Sequence, residues 1–157
     1  ILGTPVNFPN TGRSPVWSET VIQFAELVEQ ALSGLTSTGD VAKQSFILNS
    51  SHNSASNVIL TGLSFNVSVV RAAFIRYAVY REVTQPNSAS ESGEITIIYN
   101  ANNPTNQKWE PMQERVGDAS ISFTVDDNGQ FTFSTTSIGT GTHSGFILFT
   151  AQALANP

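Results

Sequence analysis

The chain has no cysteine, which removes disulfides, thiolate metal sites and a cysteine nucleophile at once. It is also poor in charge: Asp, Glu, Lys and Arg make up 12% of its 157 residues, about half the share of an ordinary soluble domain. Only seven residues are basic, none of them in a run, and the formal net charge is −5. A nucleic acid is bound by clustered Lys and Arg that displace counterions from phosphates, so no nucleic-acid partner is expected. Apolar runs fall far short of the roughly 20 residues that span a bilayer, and no basic-then-apolar leader opens the chain. Membrane insertion is therefore not expected either.

Catalytic equipment is equally thin. His52 and His143 are the two histidines, both in Ser/Asn/Thr-rich stretches and without the i, i+4 spacing of a helical metal pair. The run from Gly139 to Gly145 is glycine-rich but joins strand to strand, whereas a phosphate cradle needs a following helix N-terminus. Asp126-Asp127-Asn128-Gly129 lacks the alternating ligands, terminal Glu and flanking helices of an EF-hand, so it reads as turn chemistry. There is no nucleophile elbow, no positioned carboxylate pair and no metal cluster. The expectation is a non-enzymatic protein without a cofactor.

What fills the chain is Ser, Thr, Asn and Gln, together with 10 Phe, 3 Tyr and 2 Trp and many Val and Ile. Disordered chains lack aromatics and β-branched residues, and this length suffices for one buried core. Residues 1–15 carry Pro5, Pro9 and Pro15, which forbid a helix and disfavour a central strand. They read as an extended arm, and apolar Ile1, Leu2, Val6 and Phe8 suit it to docking, on its own chain or on a neighbour.

Over 16–35 the period changes. Trp17, Val21, Phe24, Val28, Ala31 and Leu35 alternate spacings of four and three, the seam of a coiled coil. Ser14-Pro15 supplies a cap and first turn, and Gly34 and Gly39 supply stops. Ile22, Ala25, Leu27 and Leu32 widen the apolar arc beyond one seam. Such an arc points either to contact with two bodies, sheet and symmetry mates, or to a helix buried deeply in one domain.

Residues 45–157 read as strands. Ser45–Asn49 and Asn57–Phe65 flank a Ser/Asn-rich loop, with Gly62 marking a bulge or break in the second. Val69–Glu82 is the longest run, with both faces mostly apolar, as in a central strand covered on each side. On it Arg71, Arg76 and Arg81 are candidates for structural ion pairing; Arg76, beside Phe74 and Ala78, is expected to be partly buried and in need of an acceptor. The candidate acceptors are Glu82, Glu91, Glu94, Glu110 and Glu114. Glu94–Asn100 follows, and Pro111 puts the 108–115 segment at an edge or bulge. From Ala119 to Thr136 a hairpin is expected, with loop Asp127-Asn128-Gly129, because only that register pairs Val125 with Phe131 and Phe123 with Phe133. Gly145–Ala153 is the last strand. Thr140, Thr142, His143 and Ser144 form a candidate surface contact loop. Trp17 and Trp109 with the tyrosines are candidates for stacking on sugar rings, against the commoner fate of burial.

The strand Val69-Val70-Arg71-Ala72-Ala73-Phe74-Ile75-Arg76-Tyr77-Ala78-Val79-Tyr80-Arg81, then Ser92-Gly93 and Ile95 to Asn100, resembles a group of small virion proteins of tailed bacteriophages. The acidic β-patterned stretch 117–145 and the opening Pro5 to Trp17, with its Phe8-Pro9-Asn10-Thr11-Gly12-Arg13-Ser14-Pro15-Val16-Trp17, are similar to the same group. The resemblance implies a component of the virion, such as a head-decoration, fibre or tail-tip protein, and brings no catalytic residues. The combined expectation is a mainly β chain: an antiparallel sandwich or jelly-roll-like domain at 45–157, preceded by the arm and one oligomerisation helix. Its expected partners are further copies of itself, other virion proteins and, in an alternative reading as a receptor- or polysaccharide-binding module, a host cell-surface glycan. A three-fold axis suits heptad-like helices beside β domains, so a homotrimer is the expected assembly, although a/d residues alone do not fix the number.

Overall fold

The computed structural model describes residues 21–28, 39–84 and 87–155. The chain divides into two units, Ile1–Thr38 and Gly39–Pro157. In the first, residues 21–28 are helical. Trp17, Ala31 and Leu35, like the arm, lie outside the described residues.

The second unit is an antiparallel β-sandwich. Its strands are β1 (Val41–Leu48), β2 (Ala55–Ser64), β3 (Val70–Val83), β4 (Asn87–Tyr99), β5 (Trp109–Gly117), β6 (Ile121–Val125), β7 (Gln130–Thr135) and β8 (His143–Ala155). A five-stranded sheet has the order β1-β8-β3-β4-β5 and a three-stranded sheet the order β2-β7-β6. Phe46 on β1 meets Phe133 on β7 edge-to-face at 5.3 Å, and Tyr77 on β3 meets Phe123 on β6 at 5.0 Å, closing the sheets over one core.

The turn chemistry works as the residue types require. Val125 pairs with Phe131 and Phe123 with Phe133, with Gly129 left-handed at φ 82°. Asp126 Oδ1 accepts the backbone N–H groups of Asn128 and Gln130, both at 2.9 Å, so this carboxylate is spent on the turn. Gly62, at φ 92°, sits where the β2–β7 register shifts, a bulge as expected. Pro111 lies on β5, the sheet edge, where its missing N–H costs no ladder bond.

Three expectations change. β1 starts at Val41 rather than at Ser45, and β4 reaches back to Asn87 through a Ser-rich stretch that lacks apolar alternation. β3 is central, between β8 and β4, yet only one of its faces is covered. Ala73, Ile75, Tyr77, Val79 and Arg81 are buried, while Phe74 and Arg76 on the other face are exposed.

Candidate assembly surfaces and a buried polar clamp

On the helix, Val21, Phe24 and Val28 recur at three- and four-residue spacing, which places them on one face. They are 60%, 57% and 42% exposed, and Ile22 beside them is exposed as well. The seam predicted from the sequence is thus uncovered at each of its described positions.

The arginines separate into three situations. Arg76 is on the open face and pairs with Glu94 at 3.3 Å, which corrects its expected burial. Parity decides this: Arg76 shares its face with Phe74 and Ala78, and that face points away from the second sheet. Arg71 holds its guanidinium carbon 5.3 Å from the centre of the Tyr99 ring. Arg81 is fully buried and has no carboxylate within ion-pairing distance among the described residues.

Arg81 instead donates to backbone carbonyls. Nη1 reaches Ala119 O at 2.6 Å and Ser120 O at 3.0 Å, while Nη2 reaches Asn53 O at 3.0 Å and Thr136 O at 3.1 Å. Nε donates to His143 Nε2 at 3.2 Å, so that ring nitrogen carries no hydrogen. The other nitrogen, Nδ1, then donates to Asn49 O at 2.7 Å. Ion pairing for Arg81 is therefore replaced by a fork of carbonyls, and its burial pulls the guanidinium below its ordinary pKa. His143, expected in a surface loop, is buried at the start of β8; Thr140, Thr142 and Ser144 remain exposed.

Glu91, also buried, completes the arrangement. Its carboxylate accepts Tyr77 Oη–H at 2.6 Å, Arg115 Nη1 at 3.2 Å and the Ala119 N–H at 3.1 Å. Arg81 and Glu91 thus hold the C=O and N–H of one residue, Ala119, between them. That clamp fixes the β5–β6 turn, where Ser120 adopts a left-handed φ of 52°, a conformation that a non-glycine residue keeps only when its surroundings impose it. Sequence reasoning named Glu91 as an acceptor but missed Arg115. The signal was parity, since Arg81 follows Tyr77 and Val79 at steps of two and Glu91 precedes Ile95 and Ile97 in the same way.

Burial and then the Glu91 hydrogen bond push the Tyr77 hydroxyl up from 10.0 to about 12. The folded state therefore holds this proton more tightly than the unfolded chain. Its contribution is complete below pH 10 and is lost as pH rises toward about 12. Urea midpoints measured across that window should fall for the natural chain and fall less for Tyr77→Phe, which has no proton there to lose.

The open face of the five-stranded sheet carries ordered cross-strand rows. Thr150, Arg76, Glu94 and Glu114 make a polar row. On one side of it lie Leu148, Ala78, Ser92 and Val116; on the other, Gln152, Phe74, Thr96 and Met112. Tyr80 stacks on Phe146 at 5.9 Å, and Tyr80 Oη donates to Glu82 at 2.8 Å. A depression of about 390 Å³ lies between this pair and Val116, floored by Ala78, Ser90 and Ser92. Trp109 offers no sugar platform, being buried against Tyr99 and Phe65. Among the described residues no group of three or more His, Asp or Glu is placed to hold a metal ion.

No protein-family model matches the chain, and no curated protein matches it. A solved structure with a similar course is the tailspike protein of Acinetobacter phage vB_ApiP_P1, 13% identical with a TM-score of 0.41. The match covers 73% of this chain and 22% of that one, so this chain spans about a fifth of the tailspike's length, and a likeness at that level carries no functional weight.

Proposed function

We propose that this protein is a non-enzymatic structural component of a tailed-phage virion, a homotrimer joined through its helix and working in attachment and assembly. The observation that carries the reading is the uncovered stripe of Val21, Phe24 and Val28 on the helix. Burying one such side chain stabilises by about 1.5–3 kcal/mol, and symmetry repeats that gain in every copy. A single small chain anchors weakly, whereas a symmetric set multiplies weak contacts. The likeness of residues 8–17 and of the long strand to small virion proteins supports the placement on a phage particle. The surface, poor in charge and rich in hydroxyls and amides, suits lasting contacts with other virion proteins. The exposed Thr140 and Thr142 before β8 and Ser144 at its start are the positions available to a host-surface glycan.

Phe24→Glu with Val28→Glu tests this. Light scattering after size exclusion should show the mass of the assembly falling three-fold, with the β-sheet circular dichroism signal unchanged. A mass that the double substitution leaves unaltered ends the reading.

A further inference from the structure

We infer that the two histidines form an acid-sensitive latch, which holds the turn before β2 and the β7–β8 loop to one end of the sandwich. The latch loosens when either ring takes up a second proton. It lies wholly within the β unit and is independent of how copies assemble.

A single relay of hydrogen bonds joins the two rings. Arg81 Nε donates to His143 Nε2, and His143 Nδ1 donates to Asn49 O. The Asn49 N–H in turn donates to His52 Nδ1 at 3.0 Å. A guanidinium and a peptide nitrogen both bring hydrogen and no acceptor, so His143 Nε2 and His52 Nδ1 must both be bare. The rings are held neutral, in opposite tautomers. A second proton on His143 would set N–H against the N–H of a buried cation. On His52 it would set N–H against the Asn49 peptide.

Among the described residues no carboxylate pairs with Arg81 or with either histidine to offset such a charge. Glu82, beside Arg81 on β3, is taken by Tyr80 and Ser144. Glu91 of β4 reaches Arg81 only through the Ala119 peptide, and Asp118 accepts the Ser120 N–H. Around His52, β1 brings Phe46 and β7 brings Phe133, with ring centres 5.6 and 5.8 Å away. Burial, and after it His143, lower the His52 pKa from its ordinary 6.5. The unfolded chain then takes the proton first, so this contribution is complete above pH 6.5 and is lost as pH falls below it.

The relay matters because of what hangs on it. Asn49 caps the single 3-10 turn Ser50–His52, and His52 O accepts the Thr135 hydroxyl at 2.7 Å. The next residue, Asn53, straps the β7–β8 loop: its Oδ1 accepts the Ile138 N–H at 3.2 Å and its Nδ2 donates to Gly139 O at 2.9 Å. Freeing the turn removes that strap and leaves the loop to Asn87 and Thr84. The β3–β4 ladder is not involved.

Hydrogen exchange of the full chain, read as protection factors between about pH 8 and 5, tests this. Below pH 6.5 residues 49–54 and 136–143 should lose protection about ten-fold per pH unit for each ring that titrates. Over the same range β3 and β4 should hold theirs. His52→Asn keeps an uncharged acceptor for the Asn49 N–H and should reduce the slope. Adding His143→Gln should abolish it. Nitrogen NMR of the natural chain needs no variant to fold: above pH 6.5 His143 should carry its hydrogen on Nδ1 and His52 on Nε2. The inference is overturned if both rings carry it on Nε2, or if those segments keep their protection in acid. It is equally overturned if the double variant retains the slope, which would assign it to carboxylates. Loss of β3 and β4 protection at the same pH overturns it too, because the whole unit would then be unfolding.

Discussion

Arg81→Met is expected to destabilise the β unit by about 3–5 kcal/mol, the range found when one partner of a buried charged network is removed. Four carbonyl oxygens, from Asn53, Ala119, Ser120 and Thr136, would lose their charged donor at one step. Buried acceptors left without a partner each cost their desolvation, and a methionine of similar length fills the space without meeting any of them. Arg81→Lys should recover little of the loss. Its ammonium is a single compact donor group, whereas the acceptors surround a planar fork and belong to three separate loops. The measurement is urea unfolding, with a lower midpoint at unchanged slope. A loss below about 1 kcal/mol would show that water substitutes for the guanidinium and that the clamp is not structural.

Glu91→Gln is the second large effect, also expected at about 3 kcal/mol or more. The change is nearly isosteric, so packing hardly alters. Glu91 serves donors only: Tyr77, Gln113, Arg115 and the Ala119 N–H. An amide NH₂ in place of one oxygen would turn a donor toward donors in the core. Arg115→Ala makes the useful contrast. That side chain is 44% exposed, so water reaches the place it vacates and the loss should be smaller than that of Glu91→Gln. The combined Arg81→Met/Glu91→Gln variant should lose less than the sum of its parts, because both residues hold Ala119 and either loss already frees the turn. Full additivity would mean that the two networks act separately.

The loss of the clamp should be felt at the sheet edge first. β5 is held to the second sheet near Ala119, and the left-handed Ser120 is fixed by Arg81 together with the Thr136 N–H on its carbonyl and Asp118 on its own N–H. Hydrogen exchange at the β5–β6 turn should therefore rise before that of β3 or β8, which lie inside the ladder.

The sequence by itself determined the elements whose signals are local. Alternation fixed β6 and β7 as strands, because a period of two has one structural meaning once one face is apolar, and runs apolar on both faces marked β3 and β8. The hairpin register at Val125 and Phe131 was legible for the same reason: a slip of one residue turns every phenylalanine outward. Pro111 announced an edge or a bulge and Gly62 a bulge or a break, through backbone constraints that act within a residue or two, and the structure has the edge and the bulge. The helix at 21–28 was likewise legible in its spacing, and Val21, Phe24 and Val28 are exposed on it.

Only the tertiary structure decided which face of β3 meets the second sheet. Both faces read as apolar, and either would have served until the strands were assigned neighbours. That one choice sent Arg81 into the core and Arg76 out, buried Glu91 and His143, and laid Phe74, Met112 and Val116 on an open face. The N-terminal half of β4 was hidden for a related reason: a serine-rich strand has no pattern of its own and exists because β3 and β5 supply its hydrogen bonds. Periodicity tells a chain which residues belong together, and the pairing of distant strands tells it which side is in.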